Sequence, residues 1–478
     1  MLFQLNDLLA EVPGVPVLTV GGLNADSRAI QAGDVFFATP GTRVHGDAFV
    51  AQAKSLGAVA MVTDRAPPGD PGIPVVIVDD VRAAYARAAA IRFAPQPSTI
   101  AAVTGTNGKS SIVSFVRQIW QACGIPAASL GTVGIETAAG LRPGELTTPD
   151  ALTLHRDLGL LKSEGIDHVA LETSSQGLDQ RRPDGIRFAA VAFTNLSRDH
   201  LDYHRDMEEY RDAKLRLFTD LIDEDGSAVV NTDDAEHVPF LHAALNKGAR
   251  LMTVGREGAW FEIAEVVNDG YGQRVSGRLV GEPVDFRLSL TGSFQASNAV
   301  VALGLAMATG APQQKAIAAL EHLKGARGRL ELVAERNGAA IFVDYSHKPV
   351  ALETALAALR PYASRNLHLV FGAGGDRDKG KRPIMGEVAG RLADRVIVTD
   401  DNPRTEDAAT IRSEIMAAVP DAQEIGDRRE AIASAIRALE PGDVLLIAGK
   451  GHEDYQIVGT TKHHFSDHEV VLETLKGL

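Results

Sequence analysis

A short β-prone run at residues 99–103, the loop Thr104-Gly105-Thr106-Asn107-Gly108-Lys109-Ser110-Ser111 and apolar residues at helical spacing over 112–122 follow one another without a break. Gly124 and Pro126 close the helix. Strand, glycine loop and helix in that order commit this stretch to an α/β layer, in which the chain returns to a neighbouring parallel strand. The loop also carries chemistry. Its glycines let backbone N–H groups approach phosphate oxygens, Lys109 can neutralise β/γ charge, the Ser110 hydroxyl can reach Mg²⁺, and the helix N-terminus adds a positive dipole. These residues predict a nucleotide-triphosphate site. The first glycine of the general GxxxxGK[ST] pattern is replaced by Val103, which turns the reading away from a generic P-loop GTPase.

Further apolar runs at 168–171, 189–193 and 228–230, spaced by helix-length segments, predict a mostly parallel sheet covered on both faces. Residues 261–290 alternate more clearly and predict antiparallel strands. Beyond Arg329 the pattern resumes, with strands at 341–343, 369–371, 396–399 and 444–447 and helices at 351–359, 384–392, 408–418 and 431–439. That is a second doubly wound unit. Strands at 35–37, 59–62 and 75–78 make a small α/β unit at the start. Two prolines in Phe93-Ala94-Pro95-Gln96-Pro97-Ser98 stop the alanine-rich helix 83–91, and the basic glycine link Lys324-Gly325-Ala326-Arg327-Gly328-Arg329 follows the helix 313–323. The expectation is three α/β domains, at 1–97, 98–328 and 329–478, which agrees with a length of 478 residues at about 150 per domain.

Composition narrows the function. With Lys plus Arg at 48 against Asp plus Glu at 62, a formal charge of −14 gives no general attraction for nucleic acid or an anionic membrane surface. The lone Cys123 excludes an internal disulfide and a multi-cysteine zinc site, and it reads as a small core residue. The first residues lack a basic segment and a small-residue cleavage site, and every apolar run falls short of the roughly 18 residues that span a bilayer. The protein is accordingly read as cytoplasmic, with no membrane insertion, and as a monomer.

The loop Thr104–Ser111 resembles the phosphate loop of the Mur ligase family, ATP-dependent amide-bond ligases of peptidoglycan precursor synthesis. Leu171-Glu172-Thr173-Ser174-Ser175-Gln176-Gly177-Leu178, the segment from Asn195 to His204 (NLSRDHLDYH) and Tyr210-Arg211-Asp212-Ala213-Lys214 resemble that family's motifs in its order and spacing. The resemblance implies a central P-loop-type ATPase domain with a mostly parallel sheet, a C-terminal Rossmann-like doubly wound domain and a small N-terminal α/β domain that takes a UDP-linked substrate. The motif Asp401-Asn402-Pro403-Arg404 accompanies, within the family, use of meso-diaminopimelate rather than lysine. The implied reaction joins meso-diaminopimelate to UDP-N-acetylmuramoyl-L-alanyl-D-glutamate at the cost of ATP. An L-lysine-adding ligase, a folylpolyglutamate synthase and a non-catalytic nucleotide-binding scaffold are the alternatives.

Glu172 and His200 each follow a buried strand, so both can lie at the carboxyl edge of the sheet, where α/β proteins bind ligands. The resemblance assigns them to Mg²⁺ together with Ser110, and makes Lys214 a carbamylated lysine whose carboxylate joins them. Lys109, Glu172, His200 and Lys214 are the implied catalytic set. ATP contacts carried over by resemblance are Gly105, Thr106, Asn107, Gly108, Lys109, Ser110, Ser111, Asn298, Arg329, Asp344 and His347, while Gln295 stands where many relatives have asparagine. Ser27, Thr42, Arg43 and Val44 resemble uridine-nucleotide contacts, and Thr147, Thr148, Ser174, Gln180 and Arg182 resemble contacts to the muramoyl peptide. The amino-acid pocket combines Arg377, Asp401, Asn402, Pro403, Arg404, Gly449 and Glu453. There Arg404 and Arg377 suit the distal carboxylate of meso-diaminopimelate, and Asp401 and Glu453 suit its ammonium. Lysine would leave Arg404 unpaired, at a cost of roughly a few kcal/mol.

Overall fold

Val103 and its neighbours bury themselves because the strand Thr99–Thr104 lies between two parallel partners, His168–Glu172 on one side and Phe188–Phe193 on the other. The computed structural model, which describes residues 2–41, 44–67, 69–144 and 146–478, divides into two units. The first holds the residues up to Ile263 together with Arg278–Glu282 and Val300–Ala319; the second holds Ala264–Gly277, Pro283–Ala299 and Leu320–Leu478.

In the first unit, Ala127–Gly131, His168–Glu172, Thr99–Thr104, Phe188–Phe193, Ile222–Asn231 and Arg250–Gly255 run parallel in that spatial order. The chain passes outward from Thr99–Thr104 to one side, returns through His168–Glu172, and then builds the other side. Strand order therefore reverses at Thr99–Thr104, and the crevice beyond its carboxyl end is where such sheets bind ligands. Gly134–Thr137 and Gly140–Pro143 extend the edge as an antiparallel hairpin that the sequence reading did not foresee, because its short strands hold few apolar residues. Lys109–Ala122 covers one face, with Phe115 and Trp120 fully buried, and the Trp120 indole N–H donates to Thr309 Oγ1 at 3.1 Å. A separate parallel sheet of Gly22–Asn24, Asp34–Phe37, Ala60–Thr63 and Val75–Ile77 packs on the helix Val81–Arg92.

The strands Phe261–Asp269, Gly272–Leu279 and Glu282–Leu288 are sheet neighbours joined by two-residue turns, which fixes them as antiparallel, as the alternation predicted. In the second unit, Ala339–Asp344, Val444–Ala448, Leu367–Phe371, Arg395–Val398 and Gln423–Glu424 are parallel in that order, and Glu331–Arg336 adds an antiparallel edge. The helices Pro349–Leu359 and Lys381–Leu392 bury Leu352, Leu356 and Met385 on one face of this sheet, while Arg428–Arg437 and Asp467–Lys476 bury Ile432, Ile436, Val470 and Val471 on the other. The doubly wound reading of the C-terminal region is thus the observed fold. Asn298, assigned from sequence to the central region, falls within the second unit. No described helix is long and apolar enough to cross a membrane.

Candidate active site

The phosphate loop is built against the end of the neighbouring strand. Gly105 adopts φ +145°, and a Cβ there would collide with Thr194 Oγ1. Thr106 N–H donates to Asn195 O at 2.8 Å and Asn107 N–H to Asn195 Oδ1 at 2.9 Å, while Thr194 Oγ1 donates to Asn107 O at 2.7 Å. Two of the loop N–H groups expected to face phosphate are therefore committed to Asn195. The remaining donors belong to the first turn of Lys109–Ala122, where the N–H groups of Ser110 and Ser111 have no intrahelical acceptor. Gly108, at φ +88°, caps that helix and aims this turn along the crevice.

Two lysine side chains converge on one carbonyl. Lys109 Nζ donates to Gly105 O and Thr106 O, both at 2.8 Å, and Lys214 Nζ donates to Gly105 O at 2.9 Å. Lys214 comes from the helix Met207–Arg216, is only 1% exposed, and stands 4.4 Å from the Tyr210 ring centroid. Burial first, and the Lys109 charge second, push its ammonium well below the ordinary lysine range, with Asp199 opposing. Tyr210 closes this corner, with its hydroxyl 3.1 Å from Thr106 Oγ1.

Glu172 ends its strand at 1% exposure. Its Oε1 accepts from Thr132 N–H at 3.0 Å and its Oε2 from Thr132 Oγ1 at 3.2 Å. Among the described residues no basic side chain pairs with it. A buried carboxylate without a counter-charge is costly unless a cation joins it, so this side chain is suited to hold a metal ion. Thr132 Oγ1 in turn meets Thr147 Oγ1 at 2.9 Å. Glu172→Gln removes the charge while its amide oxygen can still accept from Thr132 N–H; we expect the ligand-free protein to gain about 1 kcal/mol of stability, read as a rise in Tm, while phosphate release with ATP collapses. His200 sits at φ +55° with its side chain 40% exposed and Nε2 3.6 Å from Asp199 Oδ2. Among the described residues no three His, Cys, Asp or Glu side chains converge as a ready metal cage.

On the same carboxyl edge, Ser174 caps the helix Ser175–Asp179 by accepting from Gly177 N–H at 3.1 Å, and its hydroxyl lies 3.2 Å from Thr148 Oγ1. Arg182 donates to Thr148 O at 2.5 Å and to Gln180 Oε1 at 2.8 Å. These four residues form one connected group. Ser27 donates to Gln52 Oε1 at 2.9 Å in the N-terminal sheet region, and Val44 is exposed; Thr42 and Arg43 lie outside the described residues.

In the second unit, Arg329 lies 5.0 Å from the Tyr345 ring centroid, and Asp344 accepts from Leu330 N–H at 2.7 Å and from Ser346 N–H at 2.8 Å. Burial holds His347 neutral, with a pKa pushed down to about 4. Asn298 donates to Gln295 Oε1 at 3.0 Å, so the departure at Gln295 still supplies a partner for Asn298. Asp401–Arg404 follows the strand Arg395–Val398; Arg404 takes φ +53°, receives shape from its N–H bond to Ile457 O at 3.0 Å, and donates through Nη1 to Gly375 O at 2.8 Å. Asn402 Nδ2 donates to Glu453 Oε2 at 2.9 Å. Gly449, at φ +116°, passes close to Asp401. Arg377 is exposed, without an ion pair among the described residues, at the tip of a loop that Asp376 ties down by accepting from Thr405 Oγ1 at 2.8 Å.

Three family models match this chain: "Mur ligase family, catalytic domain" over 19–98, "Mur ligase middle domain" over 103–306 and "Mur ligase, glutamate ligase domain" over 328–451. The UDP-N-acetylmuramoyl-L-alanyl-D-glutamate--2,6-diaminopimelate ligase of Chelativorans sp. (strain BNC1) is 51% identical over 96% of this chain and 95% of its own length. The chain belongs to the Mur ligase family. The Bradyrhizobium diazoefficiens relative of the same description is likewise 51% identical, over 98% of this chain and 97% of its own. A solved UDP-N-acetylmuramoyl-L-alanyl-D-glutamate--2,6-diaminopimelate ligase superposes with a TM-score of 0.73 at 31% identity, covering 100% of this chain and 99% of that one. A Mycobacterium tuberculosis folylpolyglutamate synthase complexed with ADP shares the Mur ligase fold at a TM-score of 0.63 and 19% identity, covering 83% of this chain and 94% of that one.

Lys450 escaped the sequence reading. The signal for it was there, since Gly449-Lys450-Gly451 follows directly on the buried strand Val444–Ala448.

Proposed function

We propose that this Mur ligase joins meso-diaminopimelate to the D-glutamyl carboxylate of UDP-N-acetylmuramoyl-L-alanyl-D-glutamate, with ATP converted to ADP and phosphate. The observation that carries the ATP-dependent step is the Lys109 ammonium held on Gly105 O and Thr106 O at the N-terminus of the helix Lys109–Ala122, beside a strand whose neighbour ends in the buried Glu172. A positive side chain at a helix N-terminus suits a polyphosphate.

In the proposed reaction the substrate carboxylate oxygen attacks the γ-phosphorus of ATP and ADP leaves, giving an acyl phosphate. The diaminopimelate amine then attacks the acyl carbon; the tetrahedral intermediate expels phosphate, and the amine gives up its proton to leave an amide. Lys109 follows the charge moving onto the transferred group, which is where electrostatic stabilisation acts in phosphoryl transfer. The connected Thr148, Ser174, Gln180 and Arg182 present hydroxyl, amide and guanidinium groups to the muramoyl peptide, and Ser27, Thr42, Arg43 and Val44 take the uridine nucleotide.

Ser110, Glu172, His200 and a Lys214 carbamate would hold Mg²⁺. When bound, the metal screens the phosphate charges and orients them. Asn298, Arg329, Asp344 and His347 supply further ATP contacts. Arg404 and Arg377 take the distal carboxylate of the diamino acid. The single half-buried thiol of Cys123 asks for no oxidising compartment, and the reading places the protein in the cytoplasm as a monomer.

The test is phosphate release by the purified protein with Mg-ATP and UDP-N-acetylmuramoyl-L-alanyl-D-glutamate, in the presence of meso-diaminopimelate, L-lysine or no amino acid. Release confined to diaminopimelate is expected, with Arg404→Met losing about 100-fold or more in kcat/KM for it. Equal release with lysine would leave the ligase and remove the role of Arg404, and no release in any arm would remove the ligase.

A further inference from the structure

The carboxylates available to a substrate ammonium in the amino-acid pocket already hold an ammonium of the protein. Lys450 is fully buried, and its Nζ lies 3.0 Å from Asn402 Oδ1, 2.8 Å from Tyr455 O, 3.3 Å from Asp401 Oδ1 and 4.0 Å from Glu453 Oε2. Gly449 and Gly451, both at positive φ, flank it and turn it inward. A lysine with no exposed surface is rare, and this one is surrounded by four oxygens. Asp401 Oδ1 makes only this charge contact and no directed hydrogen bond, so it keeps acceptor capacity. Arg428 and Asp467 beside it are fully buried and cancel one another in a paired contact of 2.8 Å at each oxygen.

Asp401 and Glu453 thus already face the Lys450 ammonium, which offsets part of their negative charge. We infer that Lys450 sets which diamino acid the pocket takes: acting through Asp401 and Glu453, it makes the pocket fit a zwitterionic end, carboxylate plus ammonium, and repel the purely cationic end of lysine. Resting on the proposed function above, this extends it to a residue outside the contact set. Without the Lys450 charge the pocket gains one net negative charge and a cation becomes the better guest.

The experiment measures kcat and KM for meso-diaminopimelate and for L-lysine with the full chain. In Lys450→Met the preference for diaminopimelate over lysine falls by about tenfold or more, chiefly because KM for lysine drops. Lys450→Arg retains the preference, and adding Glu453→Gln to Lys450→Met brings it back. Loss of turnover on both amino acids by the same factor, with the preference unchanged, would overturn the inference and leave Lys450 a packing residue. Should Lys450→Met not fold, Glu453→Gln alone decides: the preference rises if Lys450 then stands unopposed by a second carboxylate, and an unchanged preference overturns the inference. Failure of the wild-type protein to turn over diaminopimelate is a separate result, which would remove the proposed function and this inference with it.

Discussion

Protein stripped of dissolved CO₂ is expected to lose most of its ligase activity and to regain it when bicarbonate is restored. Lys214→Ala is expected to lose about 100- to 1,000-fold under either condition. The reason lies in the surroundings of Lys214. Burial and then the Lys109 charge disfavour its ammonium and so favour the neutral amine, the only form that attacks CO₂. The amine nitrogen bonds to the carbon, one proton leaves, and a neutral side chain beside Gly105 O becomes an anion. The sign matters, because a lysine of ordinary pKa would remain protonated and unreactive near neutrality. Phosphate release in degassed and bicarbonate-supplemented buffer measures this directly. Indifference of the wild-type protein to CO₂, or full activity in Lys214→Ala, would refute the carbamate.

Lys109→Met should reduce phosphate release by about 1,000-fold or more while leaving the fold in place. The fold is expected to survive because the loop is separately latched to Thr194 and Asn195. A single-turnover assay with saturating ATP separates the two roles of the lysine. A defect confined to KM for ATP would make it a binding residue, whereas a fall in the rate of phosphoryl transfer identifies charge stabilisation in the transition state.

The sequence disclosed those parts of the molecule in which local pattern and tertiary packing agree. Val444–Ala448, Leu367–Phe371 and Phe188–Phe193 are apolar throughout, since both faces of a covered parallel sheet are buried, and such runs are hard to mistake. The phosphate loop was legible for a second reason: glycine, lysine and hydroxyl at fixed spacing have a local geometric meaning. The hairpin Gly134–Pro143 was not, because each of its strands is only four residues long, starts on glycine and holds few apolar side chains. At the site, spacing along the chain cannot show that Thr106 and Asn107 give their N–H groups to Asn195, since 88 residues separate Asn107 from that partner. It cannot show either that Lys450 sits among Asp401, Asn402 and Glu453, because that meeting depends on Val444–Ala448 and Arg395–Val398 ending on the same edge of the folded sheet, with Leu367–Phe371 between them.

The latch between the phosphate loop and residues 194–197 settles when the entropy of ordering the loop is lost. Thr106 and Asn107 are tied by N–H, carbonyl and hydroxyl bonds to Asn195, Thr194 and Ser197, and Gly105 fits only because it has no side chain to meet Thr194. The loop therefore takes its shape when the sheet forms. An arriving nucleotide meets a cradle whose freedom was surrendered during folding, and what it must still displace is the pair of short bonds by which Lys109 satisfies itself on Gly105 and Thr106. Nucleotide binding at this loop is in that sense an exchange of partners by one ammonium group, not the assembly of a site.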